Sequence, residues 1–154
     1  MPINLPSLKN KRTVFLAVGN IMRGDDAFGP LLYDLLAPQA GQNFLPLNGG
    51  EIPESFTSKI KTFAPDYLII ADAVAADANA PAWAVLGEGD ICGASLSTHT
   101  LPFDVMIKFI KQDLPDLQIF LIAASASNTD FGAEPSIQIK TAAKQAADAI
   151  LKLL

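Results

Sequence analysis

Four side chains of this sequence stand where a fold could use them for chemistry. They are Asp25 and Asp26 in VGNIMRGDDAFG, Asp72 in LIIAD, and His99 after ASLST. Asp26, Asp72 and His99 together offer an oxygen, oxygen, nitrogen donor set. That set suits a borderline divalent ion such as zinc or nickel, with water or substrate in the remaining positions. Their wide separation along the chain means that only tertiary structure can join them. Each also has an ordinary structural reading. Asp26 precedes an apolar helical pattern and can cap that helix by accepting backbone N–H bonds at its positive end. Asp25 reads as a solvent-facing turn acid. Asp72 interrupts five apolar or aromatic residues where a strand is expected to end, and an acid there can hold a loop as well as bind. His99, the sole histidine, can be a surface or satisfied structural residue. An aspartic dyad of Asp26 and Asp72 sharing one proton is a further arrangement, and it leaves His99 unused.

Other chemistries fail on inspection. Gly19, Gly24 and Gly29 fall at five-residue intervals, unlike the G-x-G-x-x-G turn that closes on a pyrophosphate, and two carboxylates would face the phosphate at the helix start. No Walker A lysine motif, G-x-S-x-G elbow or H-E-x-x-H pair is present. The single cysteine, Cys92, excludes an intramolecular disulfide, and its surroundings, GDICGAS, read as a turn leading into a strand.

The elements that must position these residues follow from apolar spacing. Thr13 to Val18 reads as a buried strand, broken by Gly19 and Asn20. Phe28, Leu31, Leu32, Leu35 and Leu36 recur at helical spacing over Ala27 to Leu36, with Pro30 in the first turn. Strands are expected again at Phe44 to Leu47, Tyr67 to Ala71, Trp83 to Leu86 (nearer an edge) and Ile119 to Ala123. Helices are expected at Pro53 to Phe63, Phe103 to Leu114 and Ser136 to Leu154. The last should bury Ala143, Ala146, Ala147, Ile150 and Leu151. Alternating strands and helices predict an α/β fold, a three-layer αβα sandwich around a mostly parallel twisted sheet of about five strands. Residues 1–12 read as an N-terminal tail and 13–154 as one domain. Polar residues just beyond strand carboxyl ends are the first place to seek a site in such a fold.

Composition supports a packed core: of 154 residues, 50% are hydrophobic and 18% charged. The net charge of -5, from 16 acidic and 11 basic residues, comes without a basic stripe, which argues against nucleic-acid binding. MPINLPSLKNKR lacks the apolar segment of a signal peptide, and no apolar run approaches a membrane span, so a cytoplasmic protein without membrane contact is expected.

The motifs VGNIMRGDDAFGP, the NGG of LNGGEIPE, LIIADAV and STHTLP occur in the order and approximate spacing of the hydrogenase maturation endopeptidases. The chain resembles that family over nearly its whole length from Thr13, most closely the branch serving the large subunit of formate-hydrogenlyase-type nickel-iron hydrogenases. The G-N-x-x-x-x-D-[DE]-x-x-G signature is the most specific part of the likeness. The resemblance implies a three-layer α/β monomer that removes a carboxy-terminal extension from the large-subunit precursor after nickel insertion. It assigns Asp26, Asp72 and His99 as metal-ligating and catalytic residues that read the substrate's nickel and use metal to activate water. Zinc or another divalent ion would occupy that site in the isolated protein. The alternative is a non-proteolytic maturation factor that binds metal or the precursor. Two positions depart from the family pattern. Asn48 stands where an acid usually precedes the paired glycines, and it cannot supply charge or act as a base. Ile122, Ala123, Ala124 and Ser125 replace a G-[IV]-Q-P stretch expected in the loop after the fifth strand.

Overall fold

The computed structural model describes residues 4–75, 79–92 and 103–154. Five strands, β1 (Thr13–Ala17), β2 (Phe44–Asn48), β3 (Tyr67–Ala75), β4 (Trp83–Gly87) and β5 (Gln118–Ala126), form one sheet in the order β2-β1-β3-β5-β4. All neighbours are parallel except β4, which pairs antiparallel with β5 at the edge. The five apolar segments expected to form strands share this one sheet. β1 is buried at every position, as a strand covered on both faces must be.

Helices α1 (Phe28–Leu36) and α5 (Ile137–Leu153) cover one face, and α2 (Thr57–Phe63), α3 (Glu88–Cys92) and α4 (Phe103–Asp113) the other. The period-two alternation of strand side chains divides the core accordingly. Phe15, Ala17, Ile69 and Ala71 pack with Phe28, Leu32 and the alanine stripe of α5, whereas Val14, Leu16, Leu68 and Ile70 pack with Ile60, Met106, Ile107 and Ile110. Ser136 caps α5, its hydroxyl accepting the Ile139 N–H at 3.2 Å. Leu5 and Leu8, ahead of β1, join the α1–α5 core, and the Leu8 N–H donates to Leu153 O at 2.9 Å. One side chain expected to be buried, Leu151, lies partly in solvent on α5. Among the described residues no helix is long and apolar enough to cross a membrane.

Three local expectations are corrected. The third strand does not stop at Ala71: Asp72, Ala73, Val74 and Ala75 continue the ladder against Ala123, Ala124, Ser125 and Ala126. Small side chains on both strands permit close approach there, so an acid that looked terminal lies inside a strand. By the same extension Ile122 to Ser125 belong to β5 rather than to a loop. Ile122 and Ala124 are buried, and the Ser125 hydroxyl donates to Pro81 O at 2.6 Å. Finally, Glu88 to Cys92 is a short helix instead of a turn. Acids in its first turn suit a helix N-terminus, and Lys111 of α4 pairs with Glu88 at 2.9 Å across a half-buried contact.

Candidate active site

The strand order places a topological switch between β1 and β3. The chain leaves β1 through α1 toward β2 on one side, and β3 lies on the other. The loops beyond the two carboxyl ends therefore diverge and leave a crevice, where open α/β sheets bind ligands. Asp26 stands there, in the 3₁₀ turn Gly24–Ala27 that joins the glycine-rich segment to α1. It is half-buried, and its Oδ2 accepts the Asn20 N–H at 2.8 Å. Neither the turn nor α1 receives a side-chain cap, so the helix-capping reading of Asp26 is replaced by this bond across the turn. Asp26 lines a cavity of about 430 Å³ together with Arg23, Glu51, Ala73, Ser127 and Thr129.

Asp72 is 1% exposed. It lies one step beyond the Ala17–Ala71 pair, beside Val18, whose N–H donates to Ala71 O at 2.9 Å. Strand alternation turns its side chain away from the face of Ala71 and Ala73, toward the α2–α4 layer. Its neighbour Ala73, rather than Asp72 itself, forms part of the cavity wall. Asp26 thus lies in the turn that follows β1, and Asp72 lies within the neighbouring strand β3, just beyond its pairing with β1. His99 lies outside the described residues, and among those described no three of His, Cys, Asp and Glu are grouped to hold one ion.

Asp25 departs most from its sequence reading. It is not a solvent-facing acid but 1% exposed. Its Oδ2 accepts the Ser127 N–H and the Ser127 hydroxyl, each at 2.8 Å, and the Asn128 N–H at 3.4 Å, while Oδ1 accepts the Ser136 N–H at 2.8 Å. Burial alone would raise its pKa, but the backbone bonds from Ser127 and Ser136, with hydroxyl donation, outweigh that and hold it at about 2. Three backbone bonds complete the seam: Asp25 N–H to Asn128 O at 2.8 Å, Gly24 N–H to Ala133 O at 3.1 Å, and Gly132 N–H to Met22 O at 2.7 Å. Gly19 and Gly24 both have positive φ, and a Cβ on them would collide with the carbonyl oxygens of Asp26 and Asn128 respectively. The spaced glycines therefore serve loop packing.

Sequence reasoning missed Arg23, Glu51, Ser127 and Thr129 on the cavity wall. Glu51 carried a signal, since it directly follows the paired glycines that turn back toward β1. Ser127 and Thr129 carried none, because the strand before them was read as ending too early. Asn48, the last residue of β2, is exposed and lines an adjoining cavity of about 360 Å³ with Asn20, Asp34 and Glu51. Glu51 borders both cavities.

Known proteins are similar to this chain in sequence and fold. The family model described as hydrogenase maturation protease (HycI) matches residues 35–153. The match begins after the glycine-rich turn. The hydrogenase 3 maturation protease of Escherichia coli K12 is 34% identical over 109 residues, spanning 70% of this chain and 69% of its own. A crystal structure of a [NiFe] hydrogenase maturation protease HycI from Thermococcus kodakarensis KOD1 superposes with a TM-score of 0.84 at 33% identity, covering 96% of both chains. The solution structure of an endopeptidase HycI from Escherichia coli gives 0.76 at 28% identity, over 90% of this chain and 88% of its own. With its sheet order, its crevice acids and its glycine-rich turn accounted for, this chain belongs to the HycI family of hydrogenase maturation proteases, related to the hydrogenase 3 branch.

Proposed function

We propose that this protease removes the carboxy-terminal extension of a nickel-iron hydrogenase large-subunit precursor after nickel insertion, and that Asp26, Asp72 and His99 recognise the nickel the substrate carries. The observation that supports this reading best is Asp26. Its carboxylate is held by the Asn20 N–H at the wall of a cavity of about 430 Å³ in the β1–β3 crevice of a HycI-family chain. The donor chemistry fits: one carboxylate from the turn after β1 and one from the adjoining strand β3 supply hard oxygens, and one imidazole supplies a nitrogen of intermediate softness. The substrate's nickel would supply recognition and Lewis acidity toward the attacked carbonyl or the attacking water. The chain itself fixes Asp26 through Asn20, buries Asp72, and sets Ser127 and Thr129 around the space a polypeptide would enter. We further propose that the protein works in the cytoplasm, as a monomer.

The test is processing of purified precursor, followed by its size. Nickel-loaded precursor should be shortened by the native protein, and nickel-free precursor should stay intact. Asp26→Ala, Asp72→Ala and His99→Ala should each slow processing by about 100-fold or more, as losing an electrostatic partner of the reacting group does. The fold should survive. Asp26→Ala should cost about 1 kcal/mol for the lost Asn20 bond. Unimpaired processing by all three variants would remove the proposed site. Precursor that binds but is never cut would instead support a non-proteolytic maturation factor.

A further inference from the structure

Large apolar side chains exposed on a soluble surface mark interaction sites when they cluster. Four such side chains of this protein sit on the three loops around the Asp26 cavity: Ile21 and Met22 (55% and 53% exposed), Ile52 (60%) and Phe131 (70%). The loops are joined to one another, which keeps these residues on one rim. The Gly132 N–H donates to Met22 O at 2.7 Å, and the Gly19 N–H to Gly50 O at 2.9 Å. The Arg23 guanidinium lies 5.9 Å from the Phe131 ring centroid. Each rim residue also adjoins a wall. Met22 precedes Arg23, Ile52 follows Glu51, Phe131 meets Arg23, and Ile21 borders the neighbouring cavity with Glu51.

Nothing inside the fold requires this exposure. The core is closed by α1 and α5 on one face and α2 and α4 on the other, and these side chains contribute to neither cluster. They sit instead on the loops that carry the cavity-wall residues Arg23, Glu51, Ser127 and Thr129.

We infer that Ile21, Met22, Ile52 and Phe131 form a docking rim for the polypeptide substrate, gripping apolar side chains of an extended segment next to the bond presented to the cavity. The inference rests on the proteolytic reading above and adds the chemistry of the recognised segment, which is apolar at the rim. Continuity with the cavity selects this occupant. The flexible Met22 suits a surface that must adapt to a passing chain, and Arg23 adds a cation over the Phe131 ring face, at the step from rim to wall.

Steady-state cleavage of the nickel-loaded large-subunit precursor tests it with Ile52→Ser, Phe131→Ser and the double variant. Controls are Leu35→Ser and Leu151→Ser, which alter exposed apolar side chains on α1 and α5 (45% and 38% exposed). Each rim change should raise KM by about tenfold, the loss of one apolar contact, with kcat within about twofold and the melting temperature unchanged. The controls should match the native protein. An unchanged KM in the double variant would overturn the rim, as would an equal rise in the controls. So would a native dimer that the double variant dissolves without change in KM, since the occupant would then be a second copy. If the native protein fails to cut, the proteolytic reading fails separately. Precursor binding by calorimetry then decides the rim alone: weaker binding by the rim variants supports it, and equal binding overturns it.

Discussion

On the β5 side of the cavity, residues 127–136 are fastened to the glycine-rich turn by a buried charge. Asp25 gathers donors from Ser127, Asn128 and Ser136. On the β2 side, residues 48–52 reach the same turn through backbone bonds among the described residues. The Gly49 N–H donates to Ala17 O at 2.7 Å and the Gly19 N–H to Gly50 O at 2.9 Å, while Asn48 stays exposed with only a 3.4 Å bond from the Gly50 N–H to its Oδ1. Loop length explains the contrast. The β2 turn runs directly into the 3₁₀ turn Pro53–Phe56, so local geometry holds it. The longer β5–α5 connection has no regular element of its own, and a buried carboxylate satisfies its scattered N–H groups at once. Two adjacent acids thus divide the labour at the β1 exit: Asp25 builds one wall, and Asp26 faces the space.

The strongest way to break this contrast is to remove the side chain on each wall in turn. Asp25→Ala should destabilise the protein by about 2–4 kcal/mol, because several donors lose a charged acceptor at once. Asn48→Ala should stay within about 0.5 kcal/mol, as exposed substitutions do. Urea unfolding of both variants measures the difference. Equal costs would mean that backbone contacts hold both walls and that the Asp25 network adds nothing.

Acid should then act on one wall first. The Asp25 pKa falls from the ordinary 3.8 to about 2 in the folded chain. A depressed carboxylate contributes stability that is fully present above the unfolded value and is lost as pH falls through the folded one. Its share, about 2 kcal/mol, is therefore complete above pH 4 and disappears between about pH 4 and pH 2. Melting temperatures of the native protein should drop through that window, and Asp25→Asn should flatten this part of the curve. Parallel curves for the two proteins would show that acid sensitivity arises elsewhere.

The sheet and its covering helices were legible because each strand is a continuous apolar run and each helix repeats at helical spacing. The place of Asp26 was legible too, since a turn after the first strand of such a sheet must open at its carboxyl edge. What stayed hidden was long-range satisfaction. Nothing local distinguishes Asp25 from a solvated turn acid, because its partners lie more than a hundred positions away at Ser127, Asn128 and Ser136. Strand ends were hidden for another reason. Ala73 and Ala75, facing Ala124 and Ala126, carry little β-preference, and their pairing depends on each other. That is why Asp72 looked terminal and Ser125 looked like a loop residue. The expectation that His99 joins the same rim falls on a residue outside the described ones.

The smallest expected effect sharpens the comparison on the β2 wall. Asn48→Asp changes no volume and removes no packing, since residue 48 is exposed at the end of β2. Its stability should move by about 0.5 kcal/mol or less, roughly 1–2 °C in melting temperature for a chain of this size. The added charge has a direction, however. It would stand in a cavity that Glu51 shares with the Asp26 cavity, so a negative charge there opposes ionisation of the carboxylates around both. If processing needs those carboxylates ionised, its acidic limb should move to higher pH by a few tenths. Added salt should erase the shift, because the charges interact through solvent within about one Debye length. Precursor cleavage from about pH 4 to pH 8, at low and high salt, measures this beside thermal melts of both proteins. Superimposable profiles at low salt would remove residue 48 from the electrostatics of the site. A salt-sensitive shift without loss of stability would show that the wall held by backbone tunes the reaction, while the wall held by Asp25 keeps the fold.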